Sequence, residues 1–165
     1  MPALRIYIPF LLVIGFLCAC NSPKPAAPKT TAPAPKPSTQ PVVQESGIRW
    51  EDGERLMPVL EAATRQKKPV FVEFYASWCA PCKVMEEEVF SQPTVFQYLN
   101  THFLNFRTDF DSPAGRTIAE IYEVEKLPTL LFLAPNGVVL ERYTGMTNAA
   151  NLKTIGNSAL AKWKQ

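Results

Sequence analysis

Residues 47–165 predict an α/β domain, a central mixed β-sheet flanked by helices, preceded by a signal peptide and a linker. Three observations carry this. Val70–Tyr75 (VFVEFY) is apolar on both parities except at Glu73, which suits a central strand buried on both faces. Strand-like and helix-like segments then follow in the order β-α-β-α-β-β-α, with a further helix in front. Pro135-Asn136-Gly137 is a hairpin turn signal between two strand-like runs. In chain order, Leu56, Val59, Leu60 and Ala63 recur at helical spacing, with Asp52 placed to cap and Lys67-Lys68-Pro69 to end the helix. After the first strand and a turn, a helical pattern runs through Val84, Met85 and Val89. Pro93 opens another helix, to about Tyr98–His102. Phe103–Phe110 reads as the second strand, Ala114–Tyr122 as a helix and Thr129–Leu133 as the third strand. Val138–Tyr143 is the fourth, and Asn148–Trp163 closes the chain as an amphipathic helix.

The 165 residues are unevenly composed. Seven of the 16 prolines lie between Pro23 and Pro41, and the first twenty residues are almost wholly apolar. About 119 residues remain for the fold, enough for a core without disulfide stapling. Net charge is +2, yet four basic residues (Arg5, Lys24, Lys29, Lys36) precede residue 47, against one acid, Glu45. The domain therefore carries 13 basic and 14 acidic groups, which excludes a basic nucleic-acid footprint.

Residues 1–19 read as a signal peptide. Arg5 supplies the charged start, and Ile6–Leu17 is too short for a comfortable membrane span, which needs roughly 20 residues. The run ends in Leu17-Cys18-Ala19-Cys20, which resembles the bacterial lipobox. That resemblance implies cleavage before Cys20 and a lipid on its sulfur; the alternatives are a plain secretory leader or an uncleaved anchor helix. Residues 20–46, rich in Pro, Ala and Lys and free of aromatics up to that point, cannot offset their ordering entropy by burial. They are expected to be a disordered tether biased towards extended polyproline II. Asn21, not Asp, after the lipid cysteine favours outer-membrane over inner-membrane sorting in the lipoproteins it resembles.

The chemistry concentrates in Trp78-Cys79-Ala80-Pro81-Cys82-Lys83, placed between a buried strand and a helix. With Leu127-Pro128-Thr129 about 45 residues later, the terminal hairpin and the last helix, this resembles the thioredoxin family across the whole of 47–165. The resemblance implies a thioredoxin fold and a redox-active Cys79–Cys82 disulfide. Cys79, at a helix N-terminus, is the expected nucleophile, since the macrodipole and free N–H groups favour its thiolate. Cys82, one turn later, is the resolving thiol. Ala80, Pro81 and Lys83 tune the motif, and Trp78 offers an apolar contact surface. Leu127, a cis Pro128 and the Thr129 amide are expected to pair with an extended substrate backbone. The alternatives are a structural disulfide or half a zinc site, and the domain offers only His102 and no third cysteine for zinc. No metal or cofactor is expected.

Glu73, six residues before Cys79, stands where thioredoxins carry Asp. The resemblance implies a proton relay to the second cysteine, and burial would raise its pKa as such a role requires. Arg107 is its expected partner from the adjacent strand; the alternative is a solvated carboxylate at a sheet edge. Glu86–Glu88 read as a solvated helix face, and Trp50 and Trp163 as packing residues. Val70–Pro93 further resembles the C-terminal domain of transmembrane thiol reductases that carry electrons into the periplasm. It departs from them in having Ala-Pro between the cysteines. These features predict a monomeric, lipid-anchored reductant of disulfides in exported proteins, facing the periplasm and recycled by a membrane thiol reductase. Against this stand an oxidase or isomerase, and a non-catalytic adaptor that binds clients without using the dithiol.

Overall fold

Strand β1 (Val70–Tyr75) organises the domain in the computed structural model, which describes residues 46–51 and 54–164. It pairs in parallel with β2 (Leu104–Asp109) and antiparallel with β3 (Thr129–Leu133), and β3 pairs antiparallel with β4 (Val139–Thr144). The order β2-β1-β3-β4 makes a mixed sheet with β1 and β3 inside, as strands apolar on both faces apart from Glu73 and Thr129 suit. The expected signal peptide, Cys20 and the expected tether as far as residue 45 lie outside the described residues, as does Asp52. Among the described residues no helix is long and apolar enough to cross a membrane.

Side chains alternate across the pleat and build two cores. Val70, Val72 and Phe74 of β1 meet α1 (Leu56–Gln66) and α4 (Pro113–Ile121) through Val59, Leu60, Ala63, Ile118 and Ala119. On the opposite face Phe71, Leu130 and Phe132 meet α2 (Ala80–Met85), α3 (Pro93–His102) and α5 (Ala149–Trp163) through Met85, Leu99, Leu152 and Ala159. Glu73 shares the second face with Phe71.

Local chemistry explains the boundaries. α1 begins after Arg55, which is extended and makes no side-chain cap, and the expected cap residue Asp52 is not among the described residues. Lys67 ends α1 in the left-handed conformation, φ 52°, and Pro69 follows. Ser112 and Asn148 cap α4 and α5, each accepting an N–H at 2.9 Å from Gly115 and Asn151. Gly137, φ 84°, turns the hairpin, where its N–H donates to the Ala134 carbonyl at 2.8 Å. The expected helix after the cysteines is not uniformly α: a π-helical turn, Glu86–Phe90, continues α2. The wider turn lets the consecutive residues Val89 and Phe90 both reach the core while Glu86–Glu88 stay exposed.

Candidate active site

The end of β1 delivers the chain to the N-terminus of α2, and the cysteines sit at that junction. Cys79 is the N-cap residue, extended, with Pro81 in the first turn. Its Sγ accepts the Cys82 N–H at 3.2 Å, and its carbonyl accepts the Lys83 N–H at 3.3 Å. Cys79 and Cys82 form a disulfide, with Cα atoms 5.3 Å apart. The pair is more enclosed than a reactive site at a loop tip: Cys79 is 2% and Cys82 4% exposed. Trp78 beside them is 65% exposed, its Nε1–H held by Asp111 Oδ2 at 2.7 Å. Ala80, Pro81 and Lys83 lie on the exposed side of α2.

The Leu127–Pro128 peptide bond is cis, and Leu127 packs against Ala76, Cys79 and Cys82. The loop thus lies beside the disulfide. Pro128's carbonyl accepts the Gly145 N–H at 2.8 Å, which ties this loop to the end of β4. Thr129 opens β3. It is 1% exposed and flanked in the sheet by Phe74 on one side and Thr144 on the other. Its hydroxyl donates to the Lys126 carbonyl at 2.7 Å, a bond that closes the loop around Pro128. Leu127 is the residue left open: among the described residues neither its N–H nor its C=O has a hydrogen-bond partner. Tripeptide spacing alone could not separate Leu127 from Thr129, because the register of β3 decides which backbone is committed.

Glu73 is fully buried, which overturns the alternative of a solvated sheet-edge carboxylate; β1 is an inner strand. Arg107, its register partner on β2, holds Nε 3.5 Å from Glu73 Oε2. This is a charge contact without hydrogen-bond geometry, since both Glu73 oxygens and Arg107 Nε lack hydrogen-bond partners. Burial pushes the Glu73 pKa from its usual 4.5 up to about 7; Arg107 opposes the rise and Glu86 reinforces it. Arg107 instead donates Nη1–H to Glu86 Oε1 at 3.1 Å. Its guanidinium lies 4.1 Å from the Tyr75 ring centroid and 5.2 Å from that of Trp50. Glu86 is therefore more than a solvated face, and Trp50 more than filler. Sequence reasoning missed both, along with Asp111 and Gly145, because each acts across a separation of tens of residues or through its backbone.

A cysteine pair that closes at a helix N-terminus, beside a cis-proline loop and after a strand that buries a carboxyl, defines a centre for thiol–disulfide exchange. The model of the thioredoxin-like domain matches residues 58–160, and the chain belongs to that family. Among curated relatives, the thiol:disulfide interchange protein DsbD of Pseudomonas fluorescens is 33% identical over 113 residues, covering 67% of this chain and 18% of that protein. DsbD of Yersinia pestis is 35% identical over 99 residues, covering 57% and 17%. The chain thus spans less than a fifth of the length of these relatives. A Bacteroides thetaiotaomicron structure titled a putative disulphide-isomerase superposes with TM-score 0.61 at 30% identity, covering 70% of this chain and 94% of that one. A Thermus thermophilus thioredoxin superposes with TM-score 0.63 at 26% identity, covering 71% and 90%. Family, relatives and the Cys79–Cys82 pair together support thiol:disulfide oxidoreductase activity.

Proposed function

We propose that this chain reduces disulfides of exported proteins through Cys79 and Cys82, with Glu73 moving the proton. The observation that carries the reading is the cysteine pair at the N-terminus of α2 with a buried carboxyl of near-neutral pKa on the strand leading to it. In the reduced state the Cys79 thiolate attacks one sulfur of a client disulfide, and the other client sulfur leaves as a thiolate. Glu73 takes the Cys82 proton, Cys82 attacks Cys79 Sγ, and the remaining client sulfur leaves and is protonated. The client gains two electrons and the chain becomes the disulfide seen here. Electrons then return from a partner dithiol, for which a membrane thiol reductase is the expected source. The open Leu127 backbone and exposed Trp78 form the client-facing rim, and an extended client segment would add its backbone beside Leu127. Trp78 supplies apolar contact, and Ala80, Pro81 and Lys83 tune the pair. The similarity to DsbD favours this direction over an oxidase or isomerase. Incubating the reduced chain with a disulfide-bonded model protein should yield client thiols in proportion to chain oxidised; net oxidation of a reduced client would reverse the direction.

The domain limits 47–165, the leader 1–19 and the tether 20–46 belong to the same reading, in which Cys20 carries the lipid. The DsbD relatives favour a periplasm-facing location, and Asn21 favours the outer membrane. Metabolic labelling with a palmitate analogue should mark the chain, and Cys20→Ala should lose the label. A labelled Cys20→Ala chain, or an unlabelled parent, would remove the anchor from the account.

A further inference from the structure

Immediately before the domain's first helix, residues 47–51 are stitched to the free edge of β2. The Glu51 N–H donates to the Asn105 carbonyl at 2.7 Å, and Trp50 bridges Asn105 in parallel register. Two buried asparagines lock the segment. Asn100 Oδ1 accepts the Arg49 N–H at 2.9 Å, and Asn100 Nδ2 donates to the Gly47 carbonyl at 3.0 Å. Asn105 Nδ2 donates to both the Arg49 carbonyl, at 3.2 Å, and Asn100 Oδ1, at 3.0 Å. This attachment presents Trp50 to the face of the sheet that carries Glu73. Its indole stacks on Phe71, with centroids 6.1 Å apart and planes at 28°, and meets Phe90 edge-on at 6.2 Å. Beyond them it reaches the Arg107 guanidinium, which also contacts Tyr75.

We propose that Trp50 is a positioning residue for the Glu73–Arg107 pair: its ring covers the guanidinium and keeps water from the contact between the two charges. The inference rests on the reading of Glu73 as the proton relay and deepens it. Arg107 has one close hydrogen-bonded carboxylate, Glu86, and one buried carboxylate that it touches without a hydrogen bond. An aromatic face over a partly buried guanidinium holds it by cation–π attraction and excludes solvent. Without that cover, water reaches the pair and Arg107 is free to close on Glu73. Both changes favour the charged carboxylate, so both lower the pH at which Glu73 ionises. The charged and titratable groups facing Glu73 or its partner are Arg107 from β2, Glu86 from the π-helical turn and Tyr75 from β1. A substitution at position 50 leaves all three in the sequence.

The test is the titration of the Glu73 side-chain carboxyl, followed by carbon NMR on the intact, oxidised chain in detergent. Trp50→Leu keeps an apolar group against Phe71 and Phe90 but removes the ring, and should lower the midpoint by roughly one pH unit. Trp50→Phe should hold it close to the parent value. Trp50→Met replaces the leucine variant where that variant does not fold. An unchanged midpoint in a folded Leu or Met variant, or an equal drop in the Phe variant, overturns the proposal. The relay reading fails separately: the rate of mixed-disulfide resolution would then keep its pH profile in Glu73→Gln while the NMR midpoint still responds to Trp50.

Discussion

Cys79→Ser should abolish disulfide reduction, lowering the rate at least roughly a thousandfold, with the fold intact. The chemical half of this expectation rests on the nucleophile: a serine hydroxyl stays protonated where a thiol at a helix N-terminus ionises. The structural half rests on the cap. Cys79 is the N-cap residue of α2 and its sulfur accepts the Cys82 N–H. Serine is among the preferred N-cap residues and can accept the same bond, so the helix start survives. The proper comparison is the reduced parent, since the variant cannot close the Cys79–Cys82 bond. Cys82→Ser behaves differently: it attacks once and halts as a mixed disulfide. Reduction assays together with thiol counting separate the two. Substantial activity in Cys79→Ser would refute the nucleophile assignment, and in-cell function retained by that variant would favour an adaptor.

Glu73→Gln should be more stable than the parent above neutral pH and equal to it in acid. The folded pKa of Glu73 is raised, from 4.5 to about 7, so the native state holds this proton more tightly than the unfolded chain. Below 4.5 the carboxyl is protonated in both states and imposes no penalty. Between 4.5 and about 7 the unfolded chain releases the proton first, and stability falls as pH rises. Above that range the loss is complete, and the interval corresponds to roughly 3 kcal/mol. Glutamine carries no charge to bury and avoids this loss. Urea unfolding of the oxidised proteins at pH 4 and pH 8 should show a stability gap at pH 8 alone. The same substitution should slow attack of Cys82 on the mixed disulfide and flatten its pH dependence. A parent whose stability does not change over this range would contradict a buried, neutral Glu73.

Most of the scaffold was legible in the sequence because the informative residues act locally. VFVEFY identified an inner strand, Pro-Asn-Gly a hairpin, and Asn148 the start of α5. Cys79, Cys82 and the cis-proline loop were legible through the resemblance of Trp78–Lys83 and Leu127–Thr129 to the thioredoxin family. What remained hidden depends on register. Which backbone groups beside Pro128 are committed to the sheet follows from where β3 begins, and the contact of Trp50 with Arg107 follows from an edge bridge spanning 55 residues. The Glu86–Arg107 bond depends on the π-helical turn, whose insertion no apolar spacing announces. Helix-start signals tolerate a shift of several residues, and the residue at the first turn's N-cap is Arg55, which makes no side-chain cap.

The reduction potential of the Cys79–Cys82 pair decides whether the chain donates electrons or disulfides. It is measured on the intact chain with Cys18 and Cys20 replaced by serine, so that one dithiol equilibrates with glutathione or dithiothreitol. An electron donor should give a value near that of thioredoxin, about −270 mV. A value near −120 mV, in the range of a strong disulfide donor, would contradict the reductive direction.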